Sequence, residues 1–491
     1  MKSPKSVLVV GGGTAGLIAA IILKKGLNNL KVDVVHSKNI GIIGVGEGST
    51  EHFRNFMNFA GINQHQIIKE CDATYKSGIM FTNWGPKNYL HSVGEPFNNK
   101  MGLYPHVYAR QIGNNIDYVN SGLLWNNKLE QFWLNNKENP PFNQFHFNTH
   151  KLNDFMIKHA KKNGIGIYED DIEDVMLNQE GEIDKLKGNN MEYDYDFYID
   201  ATGFKRLLMD KLGGKWQSFG DVLKMKAAIT FQTEDTSEYN LWTLAHAMDA
   251  GWLFRIPVWG RHGNGYIYDS DYIDKDQAKA EVEKLYGKEI NIGKEFKFDP
   301  GHIDRAWIKN CVAIGLSGSF VEPLEASSIG TSIQQAFILL YKIINYDEKV
   351  IDTYNHSFVK IMENIRDFLV LHYITPRQDT PFWKNLQDAP IPDSLGKKLE
   401  IWRNKLPNPE NFNDQTDYCL FWHDNFTVVM EGLNLFDRKA ILNEYMMQNQ
   451  DIKDDADRVI KEIAQKDETM ETMGHKKMIS IIRDHLELRD S

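Results

Sequence analysis

The sequence is poor in cysteine: its 491 residues include only Cys71, Cys311 and Cys419, an odd number without paired spacing. It therefore predicts neither a disulfide framework nor a zinc or other metal site, and it favours a reducing compartment. Positive charge is also scarce, because 56 Lys and Arg residues face 67 Asp and Glu residues, for a formal net charge of -11. That sign argues against a protein that binds a nucleic-acid backbone.

Long hydrophobic runs are missing as well. The most apolar stretch, Ala336–Leu340 with Ile343 and Ile344, is too short to span a bilayer. Met1–Val10 carries two lysines and then an apolar run, but it leads into Gly11 without a small-residue cleavage site, which predicts a first strand and not a signal peptide. With 42% hydrophobic and 25% charged residues, the composition is typical of a globular protein. We therefore expect a soluble, cytoplasmic protein that binds neither nucleic acid nor membrane.

Hydrophobic spacing places a βαβ unit at the start of the chain, with a strand at Ser6–Val10, a helix at Ala15–Lys25 and a parallel strand at Val32–Val35. The same spacing predicts helices at Lys151–Asn163, at Ile329–Ile344 and in the charged tail from Asp451. Strands alternate with turns over Asp170–Asp200, and the prolines in Asn135–Asn143 predict a loop.

Clustered prolines between Pro376 and Asp393 predict a soft domain boundary. Residues 1–375 would then form the core, and residues 376–491 a mainly helical C-terminal subdomain. The predicted fold class is α/β.

The segment Gly11–Gly16 contains the pattern G-x-G-x-x-G directly after a strand and at the start of a helix. Glycines in this position let the backbone turn tightly and approach a pyrophosphate at the positive end of the helix dipole. The alternative is an incidental glycine turn, but the strand-turn-helix context favours a dinucleotide. The candidate binding residues are Gly11, Gly13, Thr14, Ala15 and Gly16. The usual acidic residue that binds the ribose is replaced by His36-Ser37, so either Ser37 or a backbone group takes its place.

Two later segments favour FAD over NAD. Tyr198–Phe204 is a strand that runs into an Ala-Thr-Gly turn, and Asn310–Leu316 is a strand that ends in glycine before a proline-containing loop and a long helix. A second dinucleotide fingerprint is missing from the sequence. We therefore expect the reducing equivalents to arrive from another protein.

At this point the sequence resembles the flavin-dependent halogenases of the tryptophan-halogenase type. The blocks that carry the resemblance are the glycine loop with Gly44–Thr50, Asp72–Gly78, Gly251–Pro257, Ser319–Ile329 and Ile365–Trp383. The resemblance implies a flavin monooxygenase-like fold, with a Rossmann-type FAD-binding core and a mixed-sheet substrate region. It also implies a two-component reaction in which reduced FAD from a separate reductase, oxygen and halide give hypohalous acid, which halogenates a small aromatic substrate of indole or phenol type. Relatives are often homodimers, and the sequence does not decide this point.

The resemblance assigns Lys76 and Glu325 to catalysis. Read alone, Lys76 would be a solvated charge and Glu325 a first-turn carboxylate that favours a helix dipole. In the family pattern, hypohalous acid passes through a tunnel to the lysine, which either donates a hydrogen bond to it or forms a haloamine. The glutamate stabilises the cationic ring intermediate and removes its proton. Glu322 is an alternative candidate for that role, but the family pattern has the catalytic carboxylate two residues after the proline, which is Glu325 in this sequence.

The resemblance also implies further site residues. Glu47, Leu316 and Ile329 join the flavin site, and Ser327 and Ser328 bind halide at a helix N-terminus, where ordinary N-capping is the alternative. The remaining candidates shield the flavin from the substrate, although read alone they form a core strand; they are Trp252, Phe254 and Pro257.

Two other functions stay open from the sequence. A single-component aromatic hydroxylase that uses FAD and NAD(P)H shares the glycine loop but does not need Lys76, Glu325 or the Trp252 block. A flavin-binding protein without catalytic activity is the third possibility. The substrate is undetermined, because Cys419–Gly432 resembles the family only loosely and has Phe426 where a tryptophan is frequent.

Overall fold

The central parallel sheet sits directly behind the glycine loop. The computed structural model describes residues 1–41, 47–92, 104–113, 126–137 and 144–484. Six strands pair in the order β21-β22-β13-β1-β2-β9, and all pairs are parallel except β21 with β22. Their bounds are Ser6–Val10 (β1), Lys31–His36 (β2), Gly166–Glu169 (β9), Phe197–Asp200 (β13), Trp307–Ile308 (β21) and Cys311–Ala313 (β22).

A second sheet of seven strands, in the order β19-β15-β18-β17-β16-β5-β6, is antiparallel except between β5 and β16. Its strands are Gly78–Thr82 (β5), Tyr89–Ser92 (β6), Ala227–Glu234 (β15), Thr243–Ala247 (β16), Gly251–Val258 (β17), Arg261–Tyr268 (β18) and Ile292–Lys297 (β19).

Smaller sheets connect these two. The strands Glu47–Gly48 (β3), Thr74–Lys76 (β4) and Gln144–Phe147 (β8) pair in the order β3-β8-β4, and Lys128–Glu130 (β7) pairs with Thr472–Gly474 (β24). The remaining strands form two three-stranded sheets, Ile172–Leu177 (β10), Ile183–Gly188 (β11) and Glu192–Tyr193 (β12), and Trp216–Ser218 (β14), Gly301–Ile303 (β20) and Ser319–Phe320 (β23).

Helices cover the sheets and make up most of the C-terminal part. In chain order they are Thr14–Gly26 (α1), His52–Ala60 (α2), Gln64–Glu70 (α3), Tyr104–Gly113 (α4), Phe132–Asn135 (α5), Thr149–Lys162 (α6), Leu207–Lys211 (α7), Lys275–Tyr286 (α8), Ser327–Lys342 (α9), Glu348–His372 (α10), Pro381–Leu386 (α11), Asp393–Trp402 (α12), His423–Gly432 (α13), Arg438–Met446 (α14), Gln450–Thr469 (α15) and His475–Asp484 (α16). Among the residues that the structure describes, none of the helices is long and apolar enough to cross a membrane.

The hydrophobic pattern explains why the first elements form where they do. Four residues of β1, Val7–Val10, are at most 4% exposed, as expected for a parallel strand that is covered on both faces. The helix α1 is buried from Gly16 to Leu23 and lies between the sheet and its neighbours α6 and α9. The predicted βαβ unit, the helices α6 and α9 and the helical tail are confirmed. Of the predicted loop at Asn135–Asn143, residues 138–143 lie outside the described residues.

Candidate active site

The glycine loop brings three chain segments together at the carboxyl edge of the parallel sheet. Gly11 has φ +121°, and a Cβ placed on it would lie 2.1 Å from the carbonyl oxygen of Ala201, in the turn that follows β13. Gly315, after β22, approaches Ala15 so closely that its own Cβ would lie 2.6 Å from the Cβ of Ala15. Glycine is therefore required at both positions, and the two segments that favoured FAD meet the fingerprint.

The start of α1 is open toward a ligand. Its N-cap residue is Gly13, which has no side chain to satisfy the first N–H groups. A Cβ placed on Gly13 would meet no atom within 4 Å among the described residues, so space lies in front of these donors. Ser37 directly follows β2, and its hydroxyl accepts a hydrogen bond from the N–H of Asn39 at 3.0 Å. This donor-rich, open helix start fits the pyrophosphate of a dinucleotide such as FAD.

Lys76 is the last residue of β4 and is 1% exposed. Its Nζ donates a hydrogen bond of 2.7 Å to the carbonyl oxygen of Ser49. A Cβ placed on Gly48 would lie 3.6 Å from that Nζ, an ordinary van der Waals distance, so Gly48 lies next to the lysine side chain. Burial lowers the pKa of Lys76 to about 8, although the charges of Glu325 and Glu51 partly oppose the shift. The lysine is therefore not a solvated charge.

Glu325 is equally buried and is held by two histidines. Its carboxylate contacts His91 Nδ1 at 2.9 and 3.0 Å, and its Oε1 lies 2.9 Å from His372 Nε2. Burial opposes ionisation of the carboxyl, but the attraction and hydrogen bonds of His91 and His372 override it and hold the pKa of Glu325 below its usual range. The group is a carboxylate at neutral pH.

The hairpin of β5 and β6 connects the lysine to the glutamate. β5 begins two residues after Lys76, and His91 on β6 stands opposite Ile79 on β5. Because His91 contacts Glu325, the hairpin brings together two side chains that are 249 residues apart in the sequence, and the charge of Glu325 acts on the pKa of Lys76. The structure thus places both predicted catalytic residues in one buried region.

Glu322 occupies a different environment. Its carboxyl accepts hydrogen bonds from the Tyr373 hydroxyl at 2.8 and 2.9 Å and a longer contact of 3.4 Å from Trp252 Nε1. Burial raises the pKa of Glu322 to about 7, and these two donors only partly counter it. Sequence reasoning ranked Glu325 above Glu322 by pattern alone, and the structure supplies a physical difference between them.

The N-terminus of α9 adjoins the glutamate turn. Its N-cap residue is Ala326, at φ 52°, so neither Ser327 nor Ser328 is the N-cap, and the alternative of ordinary serine capping is wrong. Ser327 is buried and Ser328 is exposed. A Cβ placed on Gly330 would lie 2.5 Å from Thr50 Oγ1, which brings the helix against the segment that also receives Lys76.

The three predicted shielding residues lie on β17. Trp252 and Phe254 have ring centroids 6.2 Å apart at an interplanar angle of 50°. Gly265 on β18 makes room for the Phe254 ring, since a Cβ there would lie 2.4 Å from it. The carbonyl of Pro257 accepts a hydrogen bond of 2.8 Å from Thr74 on β4. β17 therefore contacts both the strand of the lysine and, through Trp252, the second glutamate.

Several functional residues carry no signal in the sequence. His91 lies in a short strand without a motif, and its contact with Glu325 spans 234 residues. His372 stands in a block that supports the resemblance, yet the pattern gives it no role. Of the predicted flavin residues, Leu316 is half-buried and Ile329 buried, each in its expected loop or helix. Gly44–Gly46 lie outside the described residues, and of Glu47 only the backbone, at the start of β3, is described.

The chain is similar to known proteins of one family. The family model described as Tryptophan halogenase matches residues 6–446. The 7-chloro-L-tryptophan 6-halogenase KtzR of Kutzneria sp. (strain 744) is 31% identical over 452 residues, which cover 82% of this chain and 86% of that protein. The tryptophan 6-halogenase SttH of Streptomyces toxytricini is 30% identical over 450 residues, which cover 84% and 86%.

Solved structures give the same answer at the level of the fold. The crystal structure of SttH superposes with a TM-score of 0.88 at 25% identity and covers 98% of this chain and 100% of that one. Xcc4156, a flavin-dependent halogenase from Xanthomonas campestris, gives a TM-score of 0.86 at 27% identity, with 98% of each chain covered. The predicted fold is confirmed. Because the family model spans most of the chain, the chain belongs to the tryptophan halogenase family and is a flavin-dependent halogenase that uses reduced FAD from a separate reductase, oxygen and halide.

Proposed function

We propose that Lys76 and Glu325 are the catalytic pair that directs hypohalous acid to an aromatic ring. When bound, reduced FAD supplies the electrons for oxygen activation, by which halide becomes hypohalous acid. The observation that carries the proposal is the position of Lys76. Its buried Nζ donates a hydrogen bond to the carbonyl of Ser49, and the charge of Glu325 acts on its pKa. Because this amine is buried, its remaining N–H groups are not hydrogen-bonded to bulk water and are available to a bound reactant.

Lys76 orients the oxidised halogen in this proposal. With a pKa of about 8, its side chain is mainly an ammonium at pH 7, which donates hydrogen bonds to the oxygen of hypohalous acid. That contact makes the halogen more electrophilic and makes hydroxide or water a better leaving group. Above the pKa the neutral amine gains the lone pair that a haloamine requires.

Glu325 acts on the other side of the reaction. Attack of the ring on the electrophilic halogen leaves a cationic ring carbon, and a nearby carboxylate stabilises that charge in a dry site. The carboxylate then receives the proton from the ring carbon that now carries the halogen, and the C–H bonding pair restores aromaticity. The ionised state of Glu325, held by His91 and His372, supports both steps.

The halide and flavin sites complete the proposal. We assign halide to the start of α9 at Ser327 and Ser328, because N–H groups of a helix N-terminus bind anions and Ala326 has no side chain to cap them. The flavin residues are proposed as Gly11, Gly13, Thr14, Ala15, Gly16, Ser37, Glu47, Leu316 and Ile329. The residues proposed to separate flavin from substrate are Trp252, Phe254 and Pro257.

We propose an electron-rich aromatic substrate of indole type. The names of KtzR and SttH support an indole, since both are described as halogenases of tryptophan. Phe426 is buried and packs on Phe368, which also contacts His91 and His372, so an aromatic cluster backs the proposed pocket. As further parts of this proposal, residues 376–491 act as a helical subdomain that completes the pocket, and the enzyme works in the cytoplasm, a choice supported by its three buried thiols.

The test is a halogenation assay with Lys76→Ala. Purified protein receives FAD, an unrelated flavin reductase, NADH, oxygen and bromide or chloride, with tryptophan, indole and a phenol as probes, and products are identified by mass spectrometry. We expect Lys76→Ala to lose at least about 100-fold in halogenated product, the scale of a lost transition-state donor, while flavin binding and oxidation continue. The matched control is Lys151→Ala, which removes a surface lysine paired with Asp72. Full halogenation by Lys76→Ala would contradict the proposal.

A further inference from the structure

Glu325 has two histidine partners, and their other ring nitrogens define which of them carries charge. His91 Nε2 lies 3.1 Å from Asn425 Nδ2. The orientation of that amide is fixed, because Asn425 Oδ1 accepts a 2.7 Å hydrogen bond from the backbone N–H of Trp422 at the start of α13. The amide nitrogen therefore donates to His91 Nε2, which has to be unprotonated. His91 is thus the neutral tautomer that donates from Nδ1 to Glu325.

His372 is fixed in the opposite way. Its Nδ1 lies 2.8 Å from the carbonyl oxygen of Phe368, one turn earlier on α10. A carbonyl only accepts, so Nδ1 carries a hydrogen and Nε2 faces Glu325 Oε1 at 2.9 Å. A proton has to lie in that contact, since two lone pairs at this distance would repel each other. The proton belongs either to an imidazolium or to a neutral carboxylic acid.

Two features place the proton on His372. It is the last residue of the 25-residue helix α10, where the helix dipole favours a cation. Glu325 also accepts from His91, and a carboxylate gains more from two donors than a carboxylic acid does. Both histidines thus stabilise the carboxylate of Glu325, and in this assignment the proton between Nε2 and Oε1 belongs to His372.

We propose that His372, as an imidazolium, is a positioning residue that keeps Glu325 ionised and holds its Oε1, while Oε2, which accepts from His91 Nδ1 at 2.9 Å, uses its second lone pair to receive the proton of the aromatic ring. Asn425 is part of the same hydrogen-bond network, because its amide nitrogen fixes His91 as a neutral donor. The proposal rests on the proposed catalytic role of Glu325. No additional reactant is required, since the ring proton moves to Oε2 and the proton of His372 stays on Nε2.

The surroundings of the pair are mostly apolar. The rings of Phe81 and Phe368 lie 4.8 and 4.9 Å from that of His372. Among the described residues, the titratable groups that face Glu325 and His372 are His91 and Tyr89 from β6 and Lys76 from β4. Tyr373, the residue after His372, donates a hydrogen bond to Glu322. Burial, followed by the charge of Glu325, raises the pKa of Tyr89, which therefore stays neutral. Within the part of the chain that the structure describes, Glu325 is the anion that His372 contacts.

Nuclear magnetic resonance of protein labelled with ¹⁵N-histidine tests the charge state without a substrate. His91 and His372 are assigned by the loss of their signals in His91→Gln and His372→Gln. We expect both ring nitrogens of His372 to be protonated in the wild-type protein, and only Nδ1 of His91. In Glu325→Gln, His372 should become neutral under the same conditions. A neutral His372 in the wild-type protein would overturn the inference.

The pH dependence of bromination, with indole as the probe, tests the consequence. His372→Gln retains a donor but loses the charge, so Glu325 becomes easier to protonate and the acid limb should move up by about one pH unit. An unchanged profile would overturn the role of His372, whereas full activity of Glu325→Gln would overturn the proposed function itself. The two failures are therefore distinguishable. His356→Gln, an exposed histidine on the same helix, is the matched control.

Discussion

At the scale of single residues, two glutamates in one short segment are given opposite properties by their neighbours. Glu325 faces His91 and His372, whereas Glu322 faces a phenol and an indole. Both are buried to 2% exposure or less, so burial alone does not distinguish them. The neighbours keep the carboxyl of Glu325 ionised, whereas burial leaves that of Glu322 with a pKa of about 7.

The raised pKa of Glu322, from 4.5 to about 7, predicts a pH-dependent stability. The folded protein holds this proton more tightly than the unfolded chain, so the stabilisation is present below pH 4.5 and is lost as the pH rises through 7. Glu322→Gln removes the titration. We compare the free energy of unfolding of the variant with that of the wild type. The difference should favour the variant by up to about 3 kcal/mol more at pH 8 than at pH 5. Thermal denaturation at both pH values measures this, and an equal difference at both would contradict the prediction.

The lowered pKa of Lys76 predicts a pH-dependent yield. If the ammonium is the active form, the ratio of halogenated product to oxidised flavin should fall as the pH rises above about 8. The measurement follows product and flavin together between pH 6 and 9.5. Lys76→Ala, which has no titration at this position, gives the baseline. A ratio that rises through pH 8 would instead favour the haloamine.

At the scale of elements, the start of α9 depends on close contact with the segment that follows β3. Gly330→Ala would place a Cβ 2.5 Å from Thr50 Oγ1, although alanine is the better helix former. We expect a loss of about 1–3 kcal/mol in the free energy of unfolding, together with less product per flavin oxidised, because Ser49 next to Thr50 holds Lys76.

The matched control for this change is Gly396→Ala on α12. A Cβ there would meet no atom within 4 Å among the described residues. The substitution should stabilise the protein by up to about 1 kcal/mol without affecting halogenation. Denaturant unfolding of both variants makes the comparison, and equal effects of the two would argue against a specific contact at Gly330.

The elements that the sequence predicted well are those with local signals. The βαβ unit follows from hydrophobic spacing and glycine, and α9 begins at Ser327, two residues before the predicted start at Ile329. The contacts of the site are harder to foresee, because they join distant segments. Nothing local marks the 2.9 Å contact of His372 with Glu325, or the pairing of Ile79 with His91 that carries His91 to the site. The family pattern supplied Lys76 and Glu325 but not the partners that set their charge.

At the scale of the whole molecule, the chain returns at its end to the strand of Lys76. β24 pairs with β7, and α16 packs on α3. His475, the first residue of α16, is fully buried; its Nε2 accepts the backbone N–H of Tyr75 at 3.1 Å, and its Nδ1 donates to the carbonyl of Asn240. The helical tail was predicted from its periodicity, but its place beside the strand of Lys76 was not.

His475→Ala should therefore affect both stability and chemistry. The change removes a buried side chain and leaves the N–H of Tyr75 without its acceptor, which costs about 2–4 kcal/mol. Because Tyr75 precedes Lys76, halogenation should fall more than flavin oxidation. His356→Ala, at an exposed site on α10, is the control and should stay within about 0.5 kcal/mol of wild type. Thermal denaturation and the product-to-flavin ratio provide the readouts, and parallel behaviour of both variants would contradict the prediction.

The contact between Tyr75 and His475 also bears on how the enzyme is made. It joins residues 400 positions apart, and ribosomes add about 5–20 residues per second, so the N–H beside Lys76 waits about 20 to 80 s for its partner during synthesis. A growing chain thus contains the glycine loop long before the acceptor that holds the strand of Lys76. The region around Lys76 is therefore completed late, once residue 475 has been synthesised.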